Sequence, residues 1–407
     1  MDELHTWWER FDPTWYMITL LGDRILDCAA VEPVQDDTTS SSHPRANPVD
    51  NILALRRAIK DATMPGDGEQ QHLNLPLDKL SGATEYTLPF SAAKVVDRVG
   101  STTRLIIESV DIPPGMSISQ LRDDVKKLAW RLQQVDPDTF GILRCRGLLK
   151  YPDPQTGSLA AIDVVYRAPA ERMLPTSLRQ LLVMQKPVSA SAIMRLAKQL
   201  VRSVCYVHTC DFVHKNIRPE NILVFSSEAS LFASSYLLGF TQFRSAHFQT
   251  NLSGDPSWHR NLYRHPQRQG AFVQERYIMQ HDIYSLGVCL LEIGLWQSLV
   301  WFPISYDNAV PGPLLGTAGQ SLCDQDFMVT NPVTPFWIKD SLVALAGKEL
   351  PLRLGDVYTS IVLTCLTCLD PGNDAFGSEQ SLTDEDGIAI GVRFVEKILS
   401  RITEIHI

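Results

Sequence analysis

The chain has 407 residues, of which 44% are hydrophobic and 20% are charged, and its formal net charge is −9. These values are typical of a globular protein with two lobes and an extension, and they disfavour general binding to nucleic acids or anionic membranes. The acidic N-terminus, the lack of an apolar run of roughly 18 residues and the presence of only eight cysteines predict a cytoplasmic protein without a signal peptide, membrane span or disulfide framework.

A helical extension with a linker is predicted for residues 1–84. Aromatic residues cluster between Trp7 and Tyr16, and they either pack on the adjacent lobe or bind a partner. Asp36–Pro48 is polar and rich in serine and threonine, which is typical of a linker. Asn51–Ala62 has apolar residues at helical spacing and predicts a short amphipathic helix.

Short apolar segments between residues 85 and 170 predict an antiparallel sheet. The predicted strands are Tyr86–Phe90, Ala93–Val96, Arg104–Val110, Phe140–Leu149 and Leu159–Tyr166. Ser117–Gln134 predicts a helix, because its apolar residues share one face and its charges suit the helix dipole.

Longer helical patterns follow beyond residue 170. The predicted helices are Ser177–Leu182, Ala192–His208, Asp340–Leu345, Asp356–Leu369 and Asp384–Ile405. Trp301–Thr330 is rich in proline and glycine and predicts a loop. Cys365 and Cys368 form a lone C-x-x-C in an apolar helix, which favours buried thiols over a metal or redox site.

The segment Tyr206–Val224 is the part of the chain around which the other motifs are arranged. An apolar helix leads into it, and the short apolar strand Ile222–Phe225 leaves it. Between them lies the sequence His214-Lys215-Asn216-Ile217-Arg218-Pro219-Glu220-Asn221. It resembles the catalytic loop of protein kinases, H-R-D-L-K-P-E-N, but Asn216 stands in place of the catalytic aspartate.

This replacement removes the chemistry that the resemblance would imply. The aspartate of protein kinases accepts the proton of the attacking hydroxyl group. The amide of Asn216 can orient a hydroxyl group, but it cannot take up a proton near neutral pH. The loop is therefore a degenerate catalytic site in which no catalytic residue is intact. Its residues are His214, Lys215, Asn216, Arg218 and Asn221.

Two further kinase motifs are also altered. Tyr236–Thr241 resembles the segment that contains D-F-G, with Phe240 retained and Gly239 in place of the aspartate that holds Mg²⁺. Asn221 matches the second metal ligand of the family, so only weak cofactor contacts by Asn221, Gly239 and Phe240 are implied. The resemblance implies no metal site and no Mg²⁺, and it leaves ATP binding open.

The motifs with architectural roles are better preserved. Tyr263–Gln267 resembles the Y-R-A-P-E that closes the activation segment, and Asp282–Val288 matches D-x-x-S-x-G at the start of a buried helix. In the family, that aspartate accepts backbone N–H bonds from the catalytic loop. The resemblance assigns structural roles to His214, Pro219, Pro266, Asp282 and Gly287.

The sheet region lacks two features of the family. It contains no G-x-G-x-x-G loop, and the strand Arg104–Val110 contains no lysine for the nucleotide phosphates. Arg104 or Lys94 is a possible substitute for that lysine. On the following helix, only Asp123 and Asp124 are available in place of the glutamate that normally pairs with the lysine.

Together, the motifs predict an α+β, two-lobed protein-kinase-like fold with a small antiparallel-sheet lobe, a large helical lobe and an N-terminal helical extension. The predicted divisions are residues 1–84, 85–170 and 171–407. A narrower resemblance is to kinase-like proteins of filamentous fungi, which often adjoin HeLo prion-inhibition domains. No complete helical HeLo bundle is obvious before residue 85.

The leading functional hypothesis is a catalytically impaired kinase-like protein, a pseudokinase, that acts as a signalling scaffold or regulator through protein partners. The first alternative is a divergent active kinase that phosphorylates protein serine or threonine, with Asp211, Glu220, Asp123 or Asp124 as the acting carboxylate. The second alternative is a nucleotide-binding switch that needs no metal. No nucleic-acid partner is expected, and the sequence leaves the oligomeric state open.

Overall fold

Our computed structural model describes residues 73–110, 118–169, 174–209, 213–240, 257–269, 277–303, 308–322, 334–376 and 388–406, apart from single residues or pairs within these ranges. The predictions for the aromatic cluster, the linker and the helix of residues 1–72 lie outside the described residues. We refer to residues 73–169 as the sheet lobe and to residues 174–406 as the helical lobe.

The sheet lobe is built on five antiparallel strands in the spatial order β1-β2-β3-β5-β4. The strands are β1 (Thr84–Thr87), β2 (Lys94–Asp97), β3 (Leu105–Ser109), β4 (Cys145–Pro152) and β5 (Leu159–Arg167). Strand β3 is covered on both faces. Leu105 and Ile107 belong to a small apolar cluster on one side, whereas Ile106 faces the main core. By the alternation of a strand, Glu108 shares the face of Ile106.

A long helix, α1 (Ile118–Gln133), packs against β4 and β5 of this sheet. Its buried residues recur at helical spacing, as the sequence predicts: Leu121, Val125, Leu128, Ala129 and Leu132. The short helix α2 (Pro137–Phe140) follows, with the Asp136 carboxylate accepting a hydrogen bond from the Thr139 N–H at 3.0 Å.

Two strand predictions are wrong in their bounds. The predicted strand Phe140–Leu149 begins only at Cys145, because Phe140 ends the capped helical turn α2. The predicted strand Tyr86–Phe90 ends at Thr87 and begins at Thr84, since Phe90 has a φ of +61° that no strand allows. The described residues before Thr84 also contact the sheet, where the Leu75 N–H donates to the Leu148 carbonyl at 2.8 Å.

The helical lobe contains a three-stranded antiparallel sheet of β6 (Thr176–Ser177), β7 (Ile222–Ser227) and β8 (Ser230–Leu237). Its helices begin with α3 (Leu178–Met184), α4 (Ala190–Thr209), α5 (Trp258–Asn261) and α6 (Met279–Leu295). Its remaining helices are α7 (Gly316–Leu322), α8 (Thr334–Glu349), α9 (Pro351–Leu366), α10 (Ile388–Phe394) and α11 (Ser400–Thr403), with a π-helical turn at Val395–Leu399 between the last two.

Helix α6 is the centre of this lobe. Every residue from Gln280 to Leu295 is buried, and the helix packs against α4 and α9. Gly287 permits the contact with α9, because a Cβ atom at this position would lie 2.7 Å from the Cβ of Cys365. Cys365 and Cys368 are buried free thiols.

Several helix predictions are correct in position but not in extent. Asp340–Leu345 is the middle of the longer helix α8, and Asp356–Leu369 corresponds to α9, which bends at Gly355 with a φ of +81°. The predicted loop Trp301–Thr330 contains the short hairpin strands β9 (Val300–Trp301) and β10 (Val310–Pro311) as well as α7. Among the described residues, no helix combines the length and apolarity needed to cross a bilayer.

Candidate functional site

The loop between α4 and β7 is anchored by one carboxylate at the start of α6. Asp282 is fully buried and accepts hydrogen bonds from the backbone N–H groups of His214 at 2.6 Å and Lys215 at 2.9 Å. The Tyr277 hydroxyl donates to it at 2.7 Å, and His208 Nε2 lies 3.3 Å away. Burial tends to raise the pKa of Asp282, but the hydrogen bonds and charges, those of His208 foremost, hold it below its usual value. The carboxylate therefore fixes the loop in one position.

The loop itself has an unusual backbone that these bonds hold in place. Lys215 has a φ of +66°, a left-handed conformation that is uncommon for a residue other than glycine, and its ammonium lies over the Tyr277 ring. Arg218 immediately precedes a 3₁₀ turn, Pro219–Asn221, that leads into β7. The turn places Asn221 next to Asn216.

His214 is a neutral packing residue in this arrangement. Its ring lies 4.4 Å from the Phe240 ring, edge to face, and its Nδ1 accepts a hydrogen bond from the Asn216 N–H at 3.3 Å. Burial lowers the pKa of His214 to about 4, so the imidazole is uncharged at neutral pH. His214 and Phe240 thus join the loop to the segment after β8.

The amides of Asn216 and Asn221 both bind backbone atoms. Asn216 Nδ2 donates to the Gly239 carbonyl at 3.3 Å, and Asn221 Nδ2 donates to the Asn216 carbonyl at 2.8 Å. Gly239 has a φ of +90°, and a Cβ atom there would lie 2.5 Å from Asn221 Nδ2. An aspartate side chain at position 239 would therefore clash with Asn221, and the glycine that stands there supplies no side-chain ligand.

The structure brings Glu108, which the sequence analysis did not identify, into this site. Glu108 lies on β3, is 4% exposed, and accepts a hydrogen bond from the Gly239 N–H with its Oε1 at 3.0 Å and its Oε2 at 3.3 Å. Burial raises the pKa of Glu108 to about 7, although the interactions with Tyr166 and with the Gly239 N–H oppose the increase. Burial, and then the charge of Glu108, raise the pKa of the Tyr166 phenol well above its usual value.

The sequence offered a signal for Glu108 that a search for lysine alone overlooks. In protein kinases, the strand motif V-A-I-K ends on the phosphate-binding lysine. On β3 the residues Leu105-Ile106-Ile107-Glu108 have a similar apolar pattern but end on an acid rather than on a lysine. The two suggested substitutes engage in surface ion pairs instead: Arg104 with Asp97 at 3.0 Å and Lys94 with Glu85 at 3.5 Å.

Glu220 belongs to a second buried cluster, which is organised by Arg179 of α3. The fully buried guanidinium of Arg179 donates to Glu220 Oε1 at 3.0 Å and to Glu292 Oε1 at 2.7 Å, and it also bonds the Tyr263 hydroxyl. That hydroxyl donates to Glu292 Oε2 at 2.7 Å. Burial tends to raise the pKa of Glu220, but the charge of Arg179 outweighs it and keeps that pKa below its usual value. An ion-paired carboxylate with a lowered pKa is a weak proton acceptor.

The other predicted site residues lie outside the loop that Asp282 anchors and outside the cluster around Arg179. Pro266 is buried and starts a 3₁₀ turn, Pro266–Arg268, that is capped by His265. Asp123 and Asp124 lie on α1, and Asp123 is exposed and bonded to Arg122. Asp211 lies outside the described residues. Within the described ranges, no group of three or more His, Cys, Asp or Glu side chains is placed to hold a metal ion.

These observations define a class of architecture. An antiparallel sheet lobe precedes a helical lobe, and a polar loop fixed by a buried aspartate lies between α4 and β7, an arrangement compatible with a two-lobed, kinase-like fold. No family model matches the chain. A probable serine/threonine-protein kinase of Dictyostelium discoideum is 26% identical over 124 residues, which are 30% of this chain and 7% of that protein. The chain thus resembles a kinase over less than a third of its length.

Proposed function

We propose that this protein is a catalytically inactive, kinase-like protein that acts as a scaffold or regulator by binding other proteins. The observation that carries the proposal is the hydrogen bond between the Glu108 carboxyl and the Gly239 N–H. In the kinases that the sequence resembles, these two positions hold the phosphate-binding lysine and the Mg²⁺-binding aspartate. Here an acid replaces the cation, and a residue without a side chain replaces the metal ligand.

Electrostatics support the absence of nucleotide chemistry. An ionised Glu108 would repel a triphosphate in a site of low dielectric constant, and a protonated Glu108 would offer no positive charge to attract it. The neutral amide of Asn221 is a poor ligand for Mg²⁺, which prefers anionic oxygens. The described residues therefore do not fit a magnesium nucleotide, and we derive no phosphoryl transfer from them.

The two alternatives from the sequence have less support. An active kinase needs a proton acceptor, yet the Asn216 amide cannot serve and Glu220 is held by Arg179. A switch that binds nucleotide without metal would need positive charge near the phosphates, where Glu108 lies instead. The distant relative from Dictyostelium, a probable serine/threonine kinase by name, is equally compatible with an active and an inactive kinase-like chain.

The finer parts of the hypothesis are proposals that rest on the sequence. We propose a cytoplasmic location, which the buried free thiols of the described cysteines favour. On the basis of its sequence motifs alone, we also propose that the chain is related to the kinase-like proteins of filamentous fungi that often adjoin HeLo domains. The partners are proteins that bind the lobes or residues 1–84.

A thermal-shift experiment tests the proposal. The melting temperature of the full chain is measured with millimolar ATP, with Mg²⁺ or with EDTA, and an active protein kinase serves as the positive control. We expect no increase in either condition, because a ligand stabilises a protein only if it binds the folded state. An increase of several degrees that needs Mg²⁺ would refute the proposal, and phosphoryl transfer lost in Asn221→Ala would then establish the active kinase. An increase in EDTA would instead favour the metal-independent switch.

A further inference from the structure

The turn between β1 and β2 contacts the helical lobe through two neighbouring residues. The Ser177 hydroxyl, which is fully buried in β6, donates to the Pro89 carbonyl at 2.6 Å. The Phe90 ring lies 5.0 Å from the Phe302 ring of the helical lobe, with the ring planes tilted by 50°. A tilted pair at this separation is a favourable aromatic contact. A hairpin turn of the sheet lobe is thus attached to the opposite lobe by a hydrogen bond and an aromatic pair.

The tip of this turn is conformationally strained. Phe90 has a φ of +61°, which is rare for a bulky side chain, and the turn closes with the Ser91 N–H donating to the Leu88 carbonyl at 3.1 Å. A residue in this conformation persists only where its surroundings hold it. Phe90 has both the left-handed backbone and the ring contact with Phe302. The contact is therefore one of the interactions that hold the strained conformation.

The position at which the turn docks lies beside the loop His214–Asn221 between α4 and β7, which we call the central loop. The Phe302 ring is also 6.2 Å from the ring of His259. Ser177, the other contact of the turn, pairs with Leu223, two residues after the loop ends at Asn221, and Arg179, two residues beyond Ser177, donates to Glu220 of the loop at 3.0 Å. The docked turn therefore covers part of the helical lobe next to the loop.

The register of the strands connects the docking of the β1–β2 turn with the Glu108–Gly239 hydrogen bond. Lys94, the first residue after the turn, is paired with Ile107, so the turn leaves the sheet at the end where Glu108 lies. On the other lobe, Ser177 is in β6, which pairs with β7, and β7 pairs with the strand that leads to Gly239. The Ser177–Pro89 and Gly239–Glu108 hydrogen bonds therefore both join this end of the five-stranded sheet to the three-stranded sheet or to the segment that follows it. Separation of the lobes would break both hydrogen bonds.

We propose that the β1–β2 turn is a lid that holds the two lobes closed over the central loop by docking Phe90 on Phe302. A ligand or protein that enters the cleft from this side has to displace Phe90. Release of the ring also allows the strained backbone to relax, so the lid is poised to open. The lid does not depend on whether any nucleotide binds.

The backbone amide of Gly239 is a direct reporter, because opening of the lobes removes its hydrogen bond to Glu108. Its hydrogen exchange is measured in the full chain and in Phe90→Asn, Phe302→Ala and the double variant. Asparagine tolerates the left-handed backbone, so Phe90→Asn removes the ring without disturbing the turn. Tyr86→Thr is the matched control, since it removes an exposed aromatic ring from the same hairpin and keeps a residue suited to a strand.

We expect each single variant to accelerate exchange at Gly239 about two- to tenfold, which is the range for the loss of one aromatic contact. The double variant should exchange no faster than the faster single variant, because both changes remove the same contact. Tyr86→Thr should have no effect. Unchanged exchange at Gly239, with acceleration confined to residues 84–97, would show a local turn contact and overturn the lid. Additive effects of the two single changes would also overturn it.

Discussion

Replacement of Glu108 by glutamine should change how the stability of the protein depends on pH. Burial raises the pKa of Glu108 from 4.5 to about 7 in the folded state. The folded state therefore binds the proton more tightly than the unfolded chain does. Glu108 contributes stability that is fully present below pH 4.5 and is lost as the pH rises through about 7. Glutamine removes this contribution and keeps an acceptor for the Gly239 N–H.

The size of the effect follows from the difference between the two pKa values. A difference from 4.5 to about 7 corresponds to about 3 kcal/mol. The free energy of unfolding is measured with urea between pH 5 and pH 8 for both proteins. The value for the original chain, relative to that for Glu108→Gln, should fall by most of this amount over the range. Buried histidines such as His214 also titrate here with the opposite sign, but they cancel in the difference between the two proteins.

A matched control separates burial from charge. Glu85 on β1 is mostly exposed, so Glu85→Gln removes a carboxyl from the surface of the same sheet and serves as the control for loss of a charge without loss of a buried group. If the curve for Glu108→Gln is parallel to the original between pH 5 and pH 8, the carboxyl does not have a raised pKa, and the account of the buried acid is refuted.

Two further substitutions test the packing of the site. Gly239→Asp should lower the free energy of unfolding by about 2 kcal/mol or more, because it combines a strained backbone with a clash against Asn221, and it should not restore Mg²⁺-dependent binding of ATP. Gly82→Ala, at a φ of +74° in open space, should cost only the backbone strain, and an equal loss for both variants would contradict the clash. Arg179→Met should lower the free energy of unfolding by about 3–5 kcal/mol, because it leaves the buried Glu292 and the mostly buried Glu220 without their cation. Arg122→Met, which breaks an exposed pair, should cost less than about 1 kcal/mol, and similar losses for the two arginine variants would refute this reasoning.

The elements that the sequence predicted well have strong local patterns. Strands β2, β3 and β5 lie within one residue of their predicted bounds, since each combines apolar residues with flanking turn residues. The predicted strand at Phe140 failed because a capped turn, started by Asp136 and Pro137, overrides the apolar pattern that follows.

The central residues of the site could not be predicted in the same way. The burial of Glu108 depends on the pairing of β3 with neighbours on both sides and on a contact with Gly239, which is 131 positions away in the chain. Arg179 looks like an ordinary surface residue of an amphipathic helix, and its partner Glu292 is 113 positions away. Such pairs arise from tertiary packing, which periodicity in one segment does not report.

The cluster around Arg179 has a consequence for how the helical lobe unfolds. Arg179, Glu220, Tyr263 and Glu292 come from α3, the central loop, the segment after α5 and helix α6, so the guanidinium has all of these hydrogen-bond partners only when the four segments are assembled. Detachment of α3 would leave the carboxylates of Glu220 and Glu292 without their cation, and detachment of any other segment would leave a buried hydrogen-bonding group of Arg179 or its partners unpaired, a state of high free energy. We therefore expect partly assembled forms of this lobe to be sparsely populated and its denaturation to proceed as a single cooperative transition.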